Sequence, residues 1–238
     1  AAADWLGFRA LNAVSLADGS ARLLGARGAR FPDIARDGSI VFETATYRAD
    51  LWLTSTDKPG EGAQQLWPST RYTNQAEFSP DGKRVVFASN RSGSDSIHVA
   101  DIGGETRRLP LPDNARYIQP HWSADGTEVF TVQQAMTTVK PAAQQAMRIN
   151  VASGKVDTLT HLGTQVNNAV PLNNGRELIY GEIADHSMRL YRADIAGGTP
   201  KRLSLPHVST FAIVDNDLAY TQPQLTGADQ LLIEQTYG

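Results

Sequence analysis

The sequence predicts an all-β fold, a β-propeller of four-stranded antiparallel blades, either about six of them or a fragment of a larger ring. Three features predict it: a recurring Asp-Gly or Asn-Gly turn, an apolar triplet after each turn, and a second glycine-rich hairpin after the triplet. The turn glycines Gly38, Gly82, Gly126 and Gly175 stand 44, 44 and 49 residues apart, close to the usual blade period. No segment longer than a few residues has helical periodicity.

Each repeat begins with a hairpin whose turn depends on glycine. Asp-Gly and Asn-Gly supply the positive φ that a tight hairpin turn needs. The clearest copy is residues 76–87, and residues 120–130 repeat it. The triplets at 85–87 and 178–180 are continuously apolar, which suits strands buried on both faces when one blade packs on the next.

A second hairpin completes each repeat. Its first strand is expected at 51–53, 97–99, 147–149, 190–192 and 231–233. Its closing strand is short and basic, as at 106–109 and 201–203. Charged outer strands discourage edge-to-edge pairing, so these strands fit the solvent edge of a blade.

The repeats divide a single predicted domain, 1–238, into blades. We expect them at 30–68, 69–111, 112–161, 162–205 and 206–238, with a partial blade at 10–25 that has only its second hairpin. Two interpretations remain open. Residues 10–25 close the ring against the last blade, or the propeller begins upstream of this numbering. We favour the second, because a repeat that starts at its third strand suggests a boundary of the segment set by cloning, proteolysis or disorder.

The amino-acid composition excludes several classes of protein and site. Of the 238 residues 41% are apolar and 20% are charged, enough for a sizeable core and unlike a disordered chain. The net charge of −3 gives no electrostatic reason to expect this segment to bind nucleic acid directly. The absence of cysteine excludes disulfides and thiolate metal sites.

Residues 78–93 and 97–109 closely resemble the TolB-type Pro-Asp repeat, a WD40-like repeat. The resemblance is specific over 72–131 and stays in register over about 30–205. Ala124 stands where the family usually has proline, and the last blade lacks the Ser-Pro-Asp-Gly turn.

The resemblance implies three alternative contexts. One is TolB, a periplasmic protein that binds partners through its propeller mouth. Another is the propeller cap of prolyl oligopeptidase-like hydrolases, whose catalytic domain lies outside the propeller. The third, which 51–54, 69–72 and 214–220 resemble most, is the sensor propeller of membrane-tethered CadC-like transcriptional regulators. The resemblance thus implies a periplasmic, non-enzymatic sensor domain whose membrane tether and DNA-binding half lie outside this chain.

The sequence predicts no catalytic residue, metal site or cofactor. A Gly-x-Ser-x-Gly nucleophile motif is absent. No two of the five histidines stand three to five residues apart, so no local zinc pair exists, and no Asp-x-Asp-x-Asp loop appears.

The innermost strands of a propeller line its central channel, so their polar residues are the best candidates for a binding site. Aligning the repeats places Phe31, Gln75, Gln119, Asn168 and Thr210 at one position. Two residues on, and on the same face of the strand, stand Asp33, Glu77, His121, Val170 and Ala212. Such a ring could hydrogen-bond a protein segment or a small polar ligand. The alternative is a water-filled channel whose polar walls need only solvent.

A second set of candidates lies in the loops that lead into the innermost strands. These residues are Arg71, Tyr72, Arg116 and Tyr117. Exposed tyrosine and arginine are frequent anchors of protein interfaces, so we expect this set to contribute to partner binding at the propeller mouth.

Overall fold

The computed structural model describes residues 10–15, 17–27, 29–44, 48–57, 62–136, 143–184, 187–205, 208–214, 217–222 and 230–235. These residues form β-strands, turns and one short 3-10 helix, Thr160–Leu162, and no α-helix, which confirms the all-β class. The chain divides into two compact units, Ala1–Ala49 and Asp50–Gly238. Within the described ranges no helix has the length and apolar character needed to cross a bilayer.

The first unit contains two antiparallel hairpins. Its strands are β1 (Ala10–Val14), β2 (Ala21–Arg27), β3 (Ala29–Ile34) and β4 (Ile40–Thr44). β1 pairs with β2, and β3 pairs with β4. In the β1–β2 turn, Asp18 accepts hydrogen bonds from the backbone N–H and the hydroxyl of Ser20. These bonds and one from Ser15 lower the pKa of Asp18 to about 2.

The second unit holds the remaining strands. They are β5 (Leu51–Leu53), β6 (Gln64–Leu66), β7 (Thr73–Phe78), β8 (Arg84–Ser89), β9 (Ser96–Asp101), β10 (Thr106–Arg108), β11 (Ala115–Trp122), β12 (Glu128–Ala135), β13 (Gln144–Asn150), β14 (Val156–Thr158), β15 (Val166–Pro171), β16 (Glu177–Ala184), β17 (Ser187–Asp194), β18 (Lys201–Arg202), β19 (Thr210–Val214), β20 (Asp217–Gln222) and β21 (Gln230–Gln235).

Three complete four-stranded antiparallel blades lie in this unit: β7–β10, β11–β14 and β15–β18. Each runs in sequence order across the sheet, as in a propeller blade. Strands β19–β21 form a three-stranded sheet. Among the described residues of the predicted blade 30–68, β3–β4 and β5–β6 are each two-stranded sheets, the first in one unit and the second in the other.

In the first two complete blades, a serine and an aspartate build the first turn around the expected glycine. Ser79 Oγ donates to Asp81 Oδ1 at 2.6 Å and accepts from the backbone N–H of Arg84 at 2.9 Å. Gly82 has φ 68°, and the other three turn glycines also have positive φ, which confirms that part of the prediction. The turn therefore fixes the point at which each innermost strand ends.

The core lies between successive sheets. Val86 and Phe87 of β8 are fully buried, as are Leu178 and Ile179 of β16, so the triplets are buried on both faces as predicted. One cluster joins β8 and β9 of one blade to β11, β12 and β13 of the next, with Tyr117 and Val129 among its members. Apolar contact between adjacent blades thus sets their spacing and brings their innermost strands side by side.

Candidate binding site

Bulges in the innermost strands position two glutamines. The pairing of β7 with β8 shifts just after Asn74, and that of β11 with β12 shifts just after Ile118, so two residues oppose one at each place. Gln75 and Gln119 lie in these bulges, and both have φ 52°. The left-handed region costs a residue other than glycine about 1–2 kcal/mol, so the same strain occurs at equivalent points of two blades.

Gln75 links its blade to the next. Its Oε1 accepts a hydrogen bond from the backbone N–H of Gln119 at 2.9 Å. This bond satisfies a bulge N–H and accounts for the placement of the Gln75 side chain. Gln119 repeats the conformation, but its own Oε1 is buried and has no hydrogen-bond partner among the described residues.

A hydrogen-bonded series runs across three blades beside the glutamines. Glu77 in β7 accepts the backbone N–H of Trp122 at 2.9 Å through Oε1, and its Oε2 lies 2.6 Å from His121 Nδ1. The other ring nitrogen, Nε2, lies 2.9 Å from Asn168 Oδ1 in β15. His121 therefore bridges the blade before it and the blade after it.

The chemistry of the imidazole follows from these two contacts. A protonated ring donates to both the Glu77 carboxylate and the Asn168 carbonyl oxygen. A neutral ring that keeps its proton on Nδ1 satisfies both sites when the Asn168 amide turns and donates from Nδ2. The series thus stays bonded in either protonation state, with the amide of Asn168 as the adjustable partner.

Asn168 occupies a different place from the one predicted. The alignment grouped it with Gln75 and Gln119, but it contacts His121 instead. The bulge in β15 falls between Val166 and Asn168, earlier relative to the following turn than the bulges of β7 and β11. Asn168 is therefore the first paired residue after its bulge, as Glu77 and His121 are after theirs. From this position its side chain contacts His121.

The remaining aligned residues do not extend the polar series. Asp33 is in the first unit, and the side chain of Phe31 is outside the described residues. Val170 packs against the apolar cluster that contains Leu190 and Val208. Thr210 and Ala212 are exposed. The candidate site in the second unit therefore consists of Gln75, Glu77, Gln119, His121 and Asn168.

The loop residues divide into exposed and structural ones. Arg71 is exposed, and its backbone N–H donates to Ser69 Oγ at 3.0 Å. Tyr72 is half-buried, and its hydroxyl is hydrogen-bonded to the amide of Asn74. Burial, followed by the negative charge of Asp95, raises the pKa of Tyr72. Arg71 is thus the accessible member of this pair.

Arg116 belongs to a cross-blade ion pair. Its Nε donates to Asp95 Oδ2 at 2.6 Å, and the Asp95 side chain is only 6% exposed. Sequence reasoning missed Asp95; the signal available was a lone acidic residue directly before β9. The guanidinium of Arg116 therefore stabilises the junction between β9 and β11.

The prediction that Tyr117 is an exposed anchor was wrong. Its side chain is 0% exposed and lies in the core between two blades. Strand β11 begins at Ala115, so Tyr117 belongs to the alternating buried positions of the strand and not to the preceding loop. This aromatic residue packs the blade junction.

No set of three or more histidine and carboxylate residues in the described part of the chain is arranged to hold a metal ion. The polar groups of the site can accept and donate hydrogen bonds, and Glu77 supplies a carboxylate whose side chain is 38% exposed. These side chains are suited to binding a polar group of a ligand.

Comparison with known proteins agrees with the fold. The family model described as the TolB beta propeller domain matches residues 23–211. Tricorn protease homolog 1 of Streptomyces coelicolor is 35% identical over 98 residues, which is 41% of this chain and 9% of that protein. The chain therefore spans a small part of the curated relative.

Solved structures give the same picture. TolB from Acinetobacter baumannii has a TM-score of 0.65 at 17% identity, covering 79% of this chain and 46% of that one. The β-propeller domain of the Trilobed protease from Pyrococcus furiosus has a TM-score of 0.55 at 14% identity, covering 94% and 73%. A prolyl endopeptidase structure has a TM-score of 0.53 at 14% identity, covering 87% and 34%. At these identities the likeness shows the fold alone.

Proposed function

Because the chain belongs to the TolB beta propeller domain family, we propose that it is a non-enzymatic binding module. It holds a protein segment or a small polar ligand against the innermost strands of the second unit. The contacting side chains are those of Gln75, Glu77, Gln119, His121 and Asn168, and the exposed Arg71, in the loop that leads into β7, is a further contact.

The observation that carries this proposal is the state of Gln119. Its backbone is strained at φ 52°, and its buried Oε1 lacks a partner among the described residues. A buried unsatisfied acceptor costs about 1–3 kcal/mol. The inter-blade bond that explains Gln75 has no counterpart here. Strain that local contacts do not explain is typical of ligand-binding positions, where a bound group supplies the missing partner.

The polar series fixes the surface around Gln119. His121 is held from both sides, and Glu77 Oε1 is held by the backbone N–H of Trp122. Side chains that are locked in this way lose little entropy when a ligand binds. Glu77 supplies a partly exposed carboxylate, and Gln119 Oε1 is a buried acceptor left unsatisfied by the described residues. The site therefore suits a ligand whose N–H donors reach in to these acceptors, such as an extended peptide or an amine.

At the level of the whole protein, we favour the sensor domain of a membrane-tethered, periplasmic transcriptional regulator. The resemblance of 51–54 and 69–72 to such sensors supports this choice. A winged-helix domain and one membrane span encoded before this segment would agree with it. A signal peptide directly before the segment would instead support a free-standing periplasmic adaptor like TolB.

A second candidate is the propeller of a peptidase, acting as a cap that limits access to a separate catalytic domain. The partial match to Tricorn protease homolog 1 and the likeness to a prolyl endopeptidase structure favour it. A hydrolase domain encoded in the same gene would support this role. The binding surface on the innermost strands would then contact the peptide substrate.

Affinity capture tests the binding proposal. The immobilised chain is exposed to a periplasmic fraction of the source cells, and retained molecules are identified by mass spectrometry. We expect a ligand that the wild-type chain and Glu105→Gln retain and that Gln119→Ala loses; Glu105 is an exposed residue of the β9–β10 turn. Circular dichroism verifies that each variant is folded. Equal retention by all three folded chains would contradict the proposed surface.

A further inference from the structure

The junction between the first two complete blades is filled by an arginine. Arg84, the first residue of β8, lies over the ring of Trp122 with its guanidinium carbon 4.6 Å from the ring centroid. Its Nη2 donates to the backbone carbonyl of Gly126 at 2.8 Å. A guanidinium thus occupies the space between two successive Asp-Gly turns and combines a hydrogen bond with a cation–π contact.

The next junction, between blades β11–β14 and β15–β18, has the same arrangement of turns but smaller side chains. Its turns are 123–126 and 172–175, and Glu128 and Pro171 stand at the positions of Arg84 and Trp122. Neither side chain fills the space, and a cavity of about 170 Å³ lies between the turns. Besides residues of the two turns, its lining consists of Glu128, Phe130, Pro171 and Ile195.

The surroundings of the turn glycines Gly126 and Gly175 show this difference between the two junctions. A Cβ placed on Gly126 would stand 3.2 Å from Arg84 Nη2 and 3.5 Å from Pro80 Cδ. A Cβ placed on Gly175, at the equivalent turn position, would meet nothing within 4 Å. The space that a guanidinium fills in one junction is therefore open in the next.

The charges of the open junction suit a cation. Hydrogen bonds from Ser123 and Thr127 lower the pKa of Asp125, so its carboxyl group is ionised at neutral pH. Glu128 has a second carboxylate, 29% exposed, which forms a loose ion pair with Arg148: Oε1 lies 3.8 Å from Nε, beyond hydrogen-bond distance. Arg148 also contacts Asp157, at 3.0 Å from Nη2. The Glu128 carboxylate consequently has room for a further hydrogen-bond donor.

We propose that the cavity between turns 123–126 and 172–175 binds the guanidinium group of an arginine side chain from a partner protein. The incoming group takes the place that Arg84 takes in the preceding junction. It donates to the carboxylate of Glu128 and to the turn backbone, and its apolar stem lies against Pro171 and Leu172. This site lies beyond the turn that ends each innermost strand and is separate from the surface around Gln119.

A titration followed by two-dimensional NMR tests the proposal. The probe is Nα-acetyl-arginine amide, and Nα-acetyl-citrulline amide is the uncharged control of nearly the same shape. We expect the arginine probe, at millimolar concentration, to shift the amide signals of residues 124–126 and 173–175. We expect the citrulline probe to leave them in place, because it has lost the charge that Glu128 recognises.

Two variants of the same residue sharpen the test. Glu128→Gln is expected to weaken binding of the arginine probe about fivefold, while Glu105→Gln, with the same loss of charge outside the cavity, leaves it unchanged. Glu128→Arg is expected to place a guanidinium in the cavity from within the chain and so abolish the shifts. Equal shifts with both probes, no shifts at these turns, or shifts that folded Glu128→Gln leaves unaltered would each overturn the proposal.

Discussion

The side chain of Gln75 accepts the backbone N–H of Gln119 at 2.9 Å, although the two glutamines lie 44 residues apart. They occupy equivalent bulges of neighbouring innermost strands, so the sequence repeat becomes a direct contact in space. Each bulge leaves backbone groups outside the regular ladder, and for the N–H of Gln119 the neighbouring blade supplies the partner. The polar residues of these strands therefore stabilise blade junctions and also form the candidate binding surface.

Replacing Gln75 tests its role in the junction. Gln75→Ala leaves the N–H of Gln119 without its acceptor and keeps a strained backbone, so we expect a loss of about 1–3 kcal/mol in the free energy of unfolding. Gln75→Gly loses the same acceptor but tolerates φ 52°, and we expect it to be less destabilised than the alanine variant. Urea unfolding measures both. An alanine variant as stable as the wild type would show that the bond contributes nothing.

His98 gives the fold a measurable pH dependence. Burial, followed by the charges of Arg91 and Arg108, lowers its pKa from 6.5 to about 4, and neither ring nitrogen has a hydrogen-bond partner among the described residues. The unfolded chain takes up a proton between these values and the folded chain does not. Stability is therefore complete above about pH 6.5 and falls as the pH drops towards 4.

We expect a loss of about 2 kcal/mol in unfolding free energy between pH 7 and pH 5 from this histidine alone. His98→Phe keeps an aromatic ring to stack on Phe87 and removes the titrating group. Urea unfolding at both pH values should show a smaller loss for this variant. The same loss in the variant and the wild type would assign the effect to other groups.

The turn aspartates Asp81 and Asp125 affect the stability of the fold at lower pH than His98 does. Hydrogen bonds from Ser79 and Ser123 are the main cause of the lowered pKa of Asp81 and Asp125, respectively. A carboxyl with a lowered pKa stabilises the fold above its unfolded value, near 3.8, and loses that contribution as the pH falls further. We expect stability to decrease below about pH 4 for this reason.

The third complete blade, β15–β18, has asparagine where the first two have the turn aspartate. Asn174 stands at the position of Asp125, and its Oδ1 accepts the backbone N–H groups of Arg176 and Glu177, both at 3.0 Å. The double variant Asp81→Asn, Asp125→Asn should therefore fold and show a shallower loss of stability between pH 4 and pH 3, as followed by circular dichroism. A slope equal to that of the wild type would refute the assignment.

Arg84 should carry a stabilising role in its junction. Arg84→Ala removes the bond to the Gly126 carbonyl and the contact with the Trp122 ring, and opens a space like the one beside Glu128. We expect a loss of about 1–3 kcal/mol in unfolding free energy by urea titration, and a smaller loss for Arg84→Lys, which keeps the charge over the ring. An alanine variant of unchanged stability would contradict this role.

Local patterns were enough to predict the strands and turns of the complete blades. The Asp-Gly and Asn-Gly turns and the apolar triplets depend on short-range chemistry, and the structure has them where the sequence placed them. The grouping of Gln75 with Gln119, and of Glu77 with His121, followed from counting back from the turns. Both groups are in contact in the structure.

Features that depend on packing could not be predicted in this way. The bulge of β15 falls at a different point from those of β7 and β11, and this shift alone moves Asn168 to His121. Tyr117 is buried because β11 starts earlier than its turn suggests. Likewise, the partner of Arg116 is Asp95, 21 residues away, and only the docking of two blades brings them together.

Site-specific photocrosslinking tests the central claim, binding at the innermost strands, most directly. A benzoylphenylalanine residue is placed at position 119 or, as a control on the β9–β10 turn, at position 105 of the protein in the cells that produce it. We predict a discrete crosslinked product at 119 and none at 105 after irradiation. A folded protein that gives no product at 119, or the same products at both positions, would contradict the claim.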